Sequence, residues 1–152
     1  MALDNDFWRY ACALYSSPEV ANKLLFLQDN YQLDVIALLF IAWLENDNKP
    51  LSKASLDSCL QRCQHWQDTI IAPIRQARRE IKQQNADLYQ QAKELELYAE
   101  QTLMAKLYQQ IQQTEIDENQ GLTINDATRY YLQQAKPGLA FTVVEPYLAC
   151  LK

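Results

Sequence analysis

Apolar residues recur along this chain at three- and four-residue intervals, through long stretches of Leu, Ala, Gln, Lys and Glu, which is the period of a helix and not of a strand. These are good helix formers, and two glycines and five prolines interrupt them little. The pattern predicts a first helix over Asn5 to Tyr15. Ser17-Pro18-Glu19 then supplies an N-cap, a proline at the first helical position and an acid in the first turn of a second helix, which runs to about Asn30. Asp34 suits the N-terminus of a third helix. In that helix Val35, Ile36, Leu38, Leu39, Phe40, Ile41, Trp43 and Leu44 cover nearly the whole circumference, so it belongs at the centre of the core.

The polar run Glu45 to Pro50 breaks the pattern and is a candidate seam, with Ser52 as the next cap. Leu56, Leu60, Cys63 and Trp66 carry the helical period onward, and Ile70, Ile74, Ala77 and Ile81 extend it past Pro73, where a kink or a fresh start is expected. Asp87 to Gln113 predicts a long helix with Leu88, Ala92, Leu95, Ala99, Leu103, Leu107 and Ile111 on one face, pairing with the preceding helix as a hairpin. Thr114 to Leu122 reads as a loop, Thr123 as the cap of a helix to about Ala135, and Pro137-Gly138 as its end. The apolar tail Leu139 to Leu151, with Pro146 inside, is expected to strap over the core. The fold class is therefore all-α, a single-domain bundle of about seven helices with a central apolar helix and a long helical hairpin.

Composition narrows the function more than the fold. A chain of 152 residues with net charge -5 fits one domain and disfavours general nucleic-acid binding. The two glycines, Gly121 and Gly138, are too few for one common phosphate-binding loop and wrongly spaced for the other. The longest apolar run, Leu33 to Leu44, would rise about 18 Å as a helix, too little to span a bilayer. The acidic start, Met1 to Asp6, lacks the basic and apolar regions of a secretory signal, so the expected compartment is the cytoplasm and Cys12, Cys59, Cys63 and Cys150 are expected to be thiols.

A single histidine limits metal and acid-base chemistry. Cys59 and Cys63 share a helix face, but His65 lies about 200° round from Cys63, so neither a metal site nor a Cys-His pair is expected. No cofactor and no catalytic constellation is expected.

Two groups of residues carry candidate chemistry. Between Ile70 and Lys82 stand four bases and one acid, net +3, leaving -8 on the remainder of the chain. Arg75, Arg79 and Lys82, with Arg78 beside them, form a basic helix face that could hold an acidic protein partner or an anionic ligand, or pair internally with Glu94, Glu96 or Glu100. The second group is Arg9, Asp29 and Asp34 set among Trp8, Tyr15 and Trp43. Buried, these charges would bridge one another, Arg9 to Asp29 or Asp34, or line a small-molecule or enzymatic pocket. The face of Leu95, Leu103, Leu107 and Ile111 could also bury against a second copy in a homodimer.

Two blocks of residues resemble a family. Phe7-Trp8-Arg9 with Leu14-Tyr15, then Leu27-Gln28-Asp29, Leu33-Asp34-Val35, Leu38-Leu39-Phe40 and Trp43-Leu44 make the first; Trp66 followed by Ile70, Ile71, Pro73, Ile74, Arg75, Arg78, Arg79 and Lys82 makes the second. Over about the first half of the chain they resemble an uncharacterised family, a domain of unknown function found in small, helical, mostly gammaproteobacterial cytoplasmic proteins. The resemblance implies a bacterial, cytoplasmic helical bundle and assigns no activity to any position. The expected function is thus non-catalytic binding, an adaptor engaging an acidic partner or anionic ligand through the basic face. The alternative is a small-molecule or enzymatic site around Arg9, Asp29 and Asp34.

Overall fold

Asn5 opens the first helix, its side-chain oxygen accepting the Trp8 N–H at 2.9 Å, and the chain then runs as α1 (Asp6–Tyr15), α2 (Pro18–Tyr31) and α3 (Val35–Asn46). This is a computed structural model, and it describes residues 1–114 and 124–151. Ser17 holds the N-cap position of α2, but its side chain makes no capping bond, and Pro18 starts that helix by geometry alone. Gln32 ends α2 in the left-handed region at φ 53°.

Asp34 caps α3, accepting the N–H groups of Ile36 and Ala37 at 2.9 and 3.2 Å. Every residue of α3 from Val35 to Leu44 is buried, as an all-round apolar helix must be. Phe7 of α1 stacks on Trp43 with ring centres 5.2 Å apart and tilts onto Phe40 at 5.6 Å.

Ser52 caps α4 (Lys53–Trp66), which passes through a π turn (Gln67–Ile71) into α5 (Ala72–Ile81) without leaving the helical path. The expected kink or restart at Pro73 takes this form. A proline lacks the N–H donor and crowds the carbonyl four residues back, here Thr69, and a widened turn immediately before it relieves both problems. Ala72 N–H bonds five residues back to Gln67, and the Thr69 hydroxyl donates to the His65 carbonyl at 2.7 Å.

A tight turn leads to α6 (Ala86–Gln112), capped by Asn85, and α5 packs along its first half. α7 (Ile124–Ala135) lies against α3, and α8 (Phe141–Leu148) with a short 3₁₀ turn (Ala149–Leu151) packs on α2. The C-terminal strap is therefore a helix, tied down by Phe26 stacked on Tyr147 at 4.6 Å and by the Tyr10 hydroxyl donating to the Leu151 carbonyl at 3.3 Å. With α4 to α5 counted as one continuous rod, the described residues form seven helices and no strand, an all-α bundle.

One apolar core holds residues from both sides of Glu45 to Pro50, including Phe7, Leu24, Phe40, Leu56, Leu103 and Leu107. The expected loop, Thr114 to Leu122, lies outside the described residues except for Thr114, and so does the expected Thr123 cap. The face of α6 expected to meet a second copy is split: Leu103, Leu107 and Ile111 are buried in the chain's own core, whereas Leu95 is exposed. The reason is that α6 outlasts the bundle. Its later turns pack against α1 and α4, whereas α5 runs beside its first turns, where Leu88 and Leu95 stay exposed.

Candidate functional site

Trp8, Ala11, Cys12 and Tyr15 fall at positions 8, 11, 12 and 15 of the chain, the spacing that puts four side chains on one face of α1. That face forms one wall of a cavity of about 460 Å³. Val35, Ile36 and Leu39 of α3 make its floor, Leu25 and Gln28 of α2 a second wall, and Leu97 and Met104 of α6 a third. The volume lies in the range of small-molecule pockets, roughly 300 to 1,000 Å³, and the lining is mainly apolar. Tyr15, Leu25 and Leu97 remain 38, 43 and 52% exposed around its mouth.

The polar end of this cavity is a charge network between α5 and α6. Arg75 and Arg78 lie three residues apart on α5 and Glu96 and Glu100 four apart on α6, so each pair faces the other helix. Arg75 Nε donates to Glu96 Oε1 at 2.8 Å, Arg78 Nε donates to the other oxygen of Glu96, and Arg75 Nη2 reaches Glu100 Oε1 at 3.3 Å. Glu96 thus bridges two guanidinium groups with its side chain only 12% exposed. Glu100 holds one longer contact, and burial, reinforced by the charge of Glu96 and only partly offset by Arg75, pushes its carboxyl up to about 7. Burial also pushes the Tyr15 hydroxyl up to about 12.

A second cavity, of about 670 Å³, lies beyond Gln28, Val35, Gln67 and Arg75, residues that line both. Its lining is polar: Asp29, Gln32 and Asp34 from the α2–α3 corner, Gln64, Asp68, Gln76 and Arg79 from the α4–α5 rod, and Tyr131 and Lys136 from the far side. Asp34 joins these elements. Besides capping α3 it accepts Gln67 Nε2 at 3.1 Å, and its own N–H donates to the Tyr131 hydroxyl at 2.6 Å. Burial raises the Asp34 carboxyl, opposed by the α3 amides, Gln67 and Arg75.

The structure redistributes the residues singled out in the sequence. Trp8 and Tyr15 line the first cavity, Asp29 and Asp34 the second, and Arg75 stands between them. Arg9 does not join them: it sits one position past Trp8 on the outer side of α1 and pairs with Asp4 at 3.5 Å and Asp6 at 3.2 Å. The expected bridge from Arg9 to Asp29 or Asp34 is absent. Trp43 lines neither cavity, because Phe7 and Phe40 enclose it in the core.

Of the basic face, Arg75 and Arg78 turn toward Glu96 and Glu100, leaving Arg79 and Lys82 exposed without ion-pair partners among the described residues. Glu94 takes no part in this network and accepts Gln90 instead. Cys59 and Cys63 are buried thiols, both raised by burial, Cys59 to about 12, and His65 is exposed. Among the described residues no three His, Cys, Asp or Glu side chains gather as a metal site.

Gln67 and Met104 gave no signal in the sequence, and Gln28 stood out only within the block Leu27-Gln28-Asp29, since amides and methionines at helical spacing are common packing residues. The π turn that aims Gln67 and Arg75 has no simple sequence mark apart from Pro73.

The chain belongs to the family described as a protein of unknown function (DUF2390), whose model matches residues 6–107, about two thirds of its length. That match runs past the two blocks of resemblance and takes in Glu96, Glu100 and Met104. No curated protein and no solved structure matches the chain. Among the described residues no helix is long and apolar enough to cross a membrane.

Proposed function

We propose that this member of the family is a non-catalytic binding protein for a small ligand with an apolar body, held in the cavity beneath Trp8 and Tyr15 with its polar end toward Arg75. The observation that carries the reading is a mainly apolar cavity of about 460 Å³ ending on a half-buried network of Arg75, Arg78, Glu96 and Glu100. Apolar walls reward burial of a ligand's body, and a few charged groups at one end orient it. A cytoplasmic setting belongs to this reading, supported by Cys59 and Cys63 standing as free thiols in the core.

The test uses 1-anilinonaphthalene-8-sulfonate, a fluorescent probe with an apolar body and one charge. Saturable binding at a single site is expected, weakened at least about tenfold in Cys12→Trp, which fills the mouth from an exposed position. Equal binding by the two proteins, with unchanged circular dichroism, overturns it.

A second reading, an adaptor for an acidic protein partner, is supported by the exposed Arg79 and Lys82. It requires a salt-sensitive protein partner that is lost from Arg79→Glu/Lys82→Glu. Retention by that variant removes it.

A further inference from the structure

The two cavities share a wall, and the shared residues include the one arginine that both the apolar and the polar chamber can use. We infer that they are one bipartite site for an anionic amphiphile, its apolar body in the first chamber and its carboxylate or phosphate head beyond the Gln67–Arg75 partition, against Arg79. The inference rests on the reading of the first cavity as a ligand site and names the class of ligand.

The charges of the second chamber decide the sign of the head. Asp34 is committed to the N-terminus of α3 and to Gln67, and Asp68 accepts Gln64 Nε2 at 2.8 Å. Lys136 is occupied in part by Gln32, to which it donates at 3.1 Å. Arg79 has neither an ion pair nor a side-chain hydrogen bond among the described residues, and it lies one turn beyond Arg75 on α5. The planar guanidinium of Arg79 can grip one oxyanion with two parallel N–H bonds, and the amide of Gln76 adds a neutral donor. A cationic head would face Arg75, Arg79 and Lys136 together. Against an anion stand the carboxylates of Asp34 and Asp68, each held by neutral amide donors, and that of Asp29, which lines the chamber without a side-chain partner among the described residues. Asp29 repels an anion, so its removal should strengthen the site.

The first chamber supplies the body's surroundings but no equivalent place for the head. Its two arginines are bridged by Glu96, whereas the second chamber offers Arg79 unpaired. The π turn makes this arrangement. One residue more in the turn rotates all of α5 by about 100°, which sets Arg75 at the partition with Arg78 against α6 and Arg79 in the polar chamber.

Calorimetric titrations with dodecanoate, dodecyl phosphate, dodecanol and dodecyltrimethylammonium, each below its micellar concentration, test the inference on the full chain. At least one of the two anions should bind about tenfold or more tightly than dodecanol, and the better of them identifies the head. Arg79→Ala should erase that preference while leaving dodecanol unchanged, and Asp29→Asn should increase it. Dodecanol bound as tightly as both anions, a preference for the ammonium head, or an anion preference that survives Arg79→Ala overturns the bipartite site and leaves the apolar cavity standing. No binding of any of the four, with an unmoved sulfonate probe, overturns both.

Discussion

Gln67, the first residue of the π turn, donates its side-chain amide at 3.1 Å to Asp34, the residue that caps the central helix. A single carboxylate oxygen therefore receives two backbone N–H groups of α3 and the amide of a side chain 33 positions away. The turn that aims Arg75 is thereby fastened to the start of the most buried helix. Asp34→Ala removes all three bonds, and the expected loss is about 2 kcal/mol of unfolding free energy. Asp34→Asn keeps an acceptor oxygen for the cap and should cost less than half of that, as read from urea midpoints at constant m-value.

The same residue is held from the other side by Tyr131, whose hydroxyl accepts the Asp34 N–H at 2.6 Å. Tyr131 is buried, so Tyr131→Phe takes from that N–H the acceptor it has in the fold. Destabilisation of about 1 to 3 kcal/mol is expected from the orphaned donor. A thermal midpoint unchanged within error would show that the hydroxyl is not the partner of this group.

Glu100 links stability to pH. Its carboxyl titrates near 7 in the folded protein against an ordinary 4.5, so the folded state holds a proton that the unfolded state has released between those values. Stability contributed by this group is therefore present at low pH and lost as pH rises from about 5 to 7. Glu100→Gln should flatten that part of the profile and be the more stable protein at pH 8 by about 2 kcal/mol, an amount already reduced for the partial exposure of the side chain. Asp34 is raised in the same sense, so a residual slope of the same sign should persist in the variant. Parallel profiles for the two proteins would count against a raised Glu100.

Deleting Thr69, an exposed residue in the middle of the π turn, should remove the extra residue, return the Pro73 ring to the carbonyl four positions back as an ordinary proline kink, and rotate α5 by about 100°. Arg75 and Arg78 would then leave Glu96 and Glu100, and the sulfonate probe should bind at least about tenfold more weakly while helix content by circular dichroism is kept. Undiminished probe binding would show that the turn does not set the cavity's polar end.

The four thiols should differ in reactivity. Cys12 is exposed, Cys150 half-buried, and Cys59 and Cys63 are inside the core with their thiols raised by burial. Alkylation of the native protein, followed by mass spectrometry, should modify Cys12 first and reach Cys59 and Cys63 only with unfolding. Occupying the first cavity with the probe should slow Cys12, which lies in its wall.

Much of this architecture was legible in the amino-acid order because it is local. Asp34 and Ser52 are cap residues whose side chains bond amides two or three positions ahead, and α3 is apolar on every side, which leaves a helix no place except the interior. The preference of Pro73 for a helix start or distortion is equally local, although whether it produces a kink or a π turn is not. What the order of residues could not supply is partnership across the chain. Arg9 and Asp34 both stand among aromatic and aliphatic neighbours, yet Arg9 faces outward to Asp4 and Asp6 and Asp34 inward to Gln67 and Tyr131. Arg75 and Arg79 are one turn apart, yet the first meets Glu96 and the second meets none of the described acids. Those outcomes depend on how α5 is rotated against α6 and on where α7 closes over α3. Helix formation depends on each residue's near neighbours and was determined by the sequence read alone; the cavities and the pairing of their charges depend on the rotation and packing of whole helices, which only the tertiary structure decided.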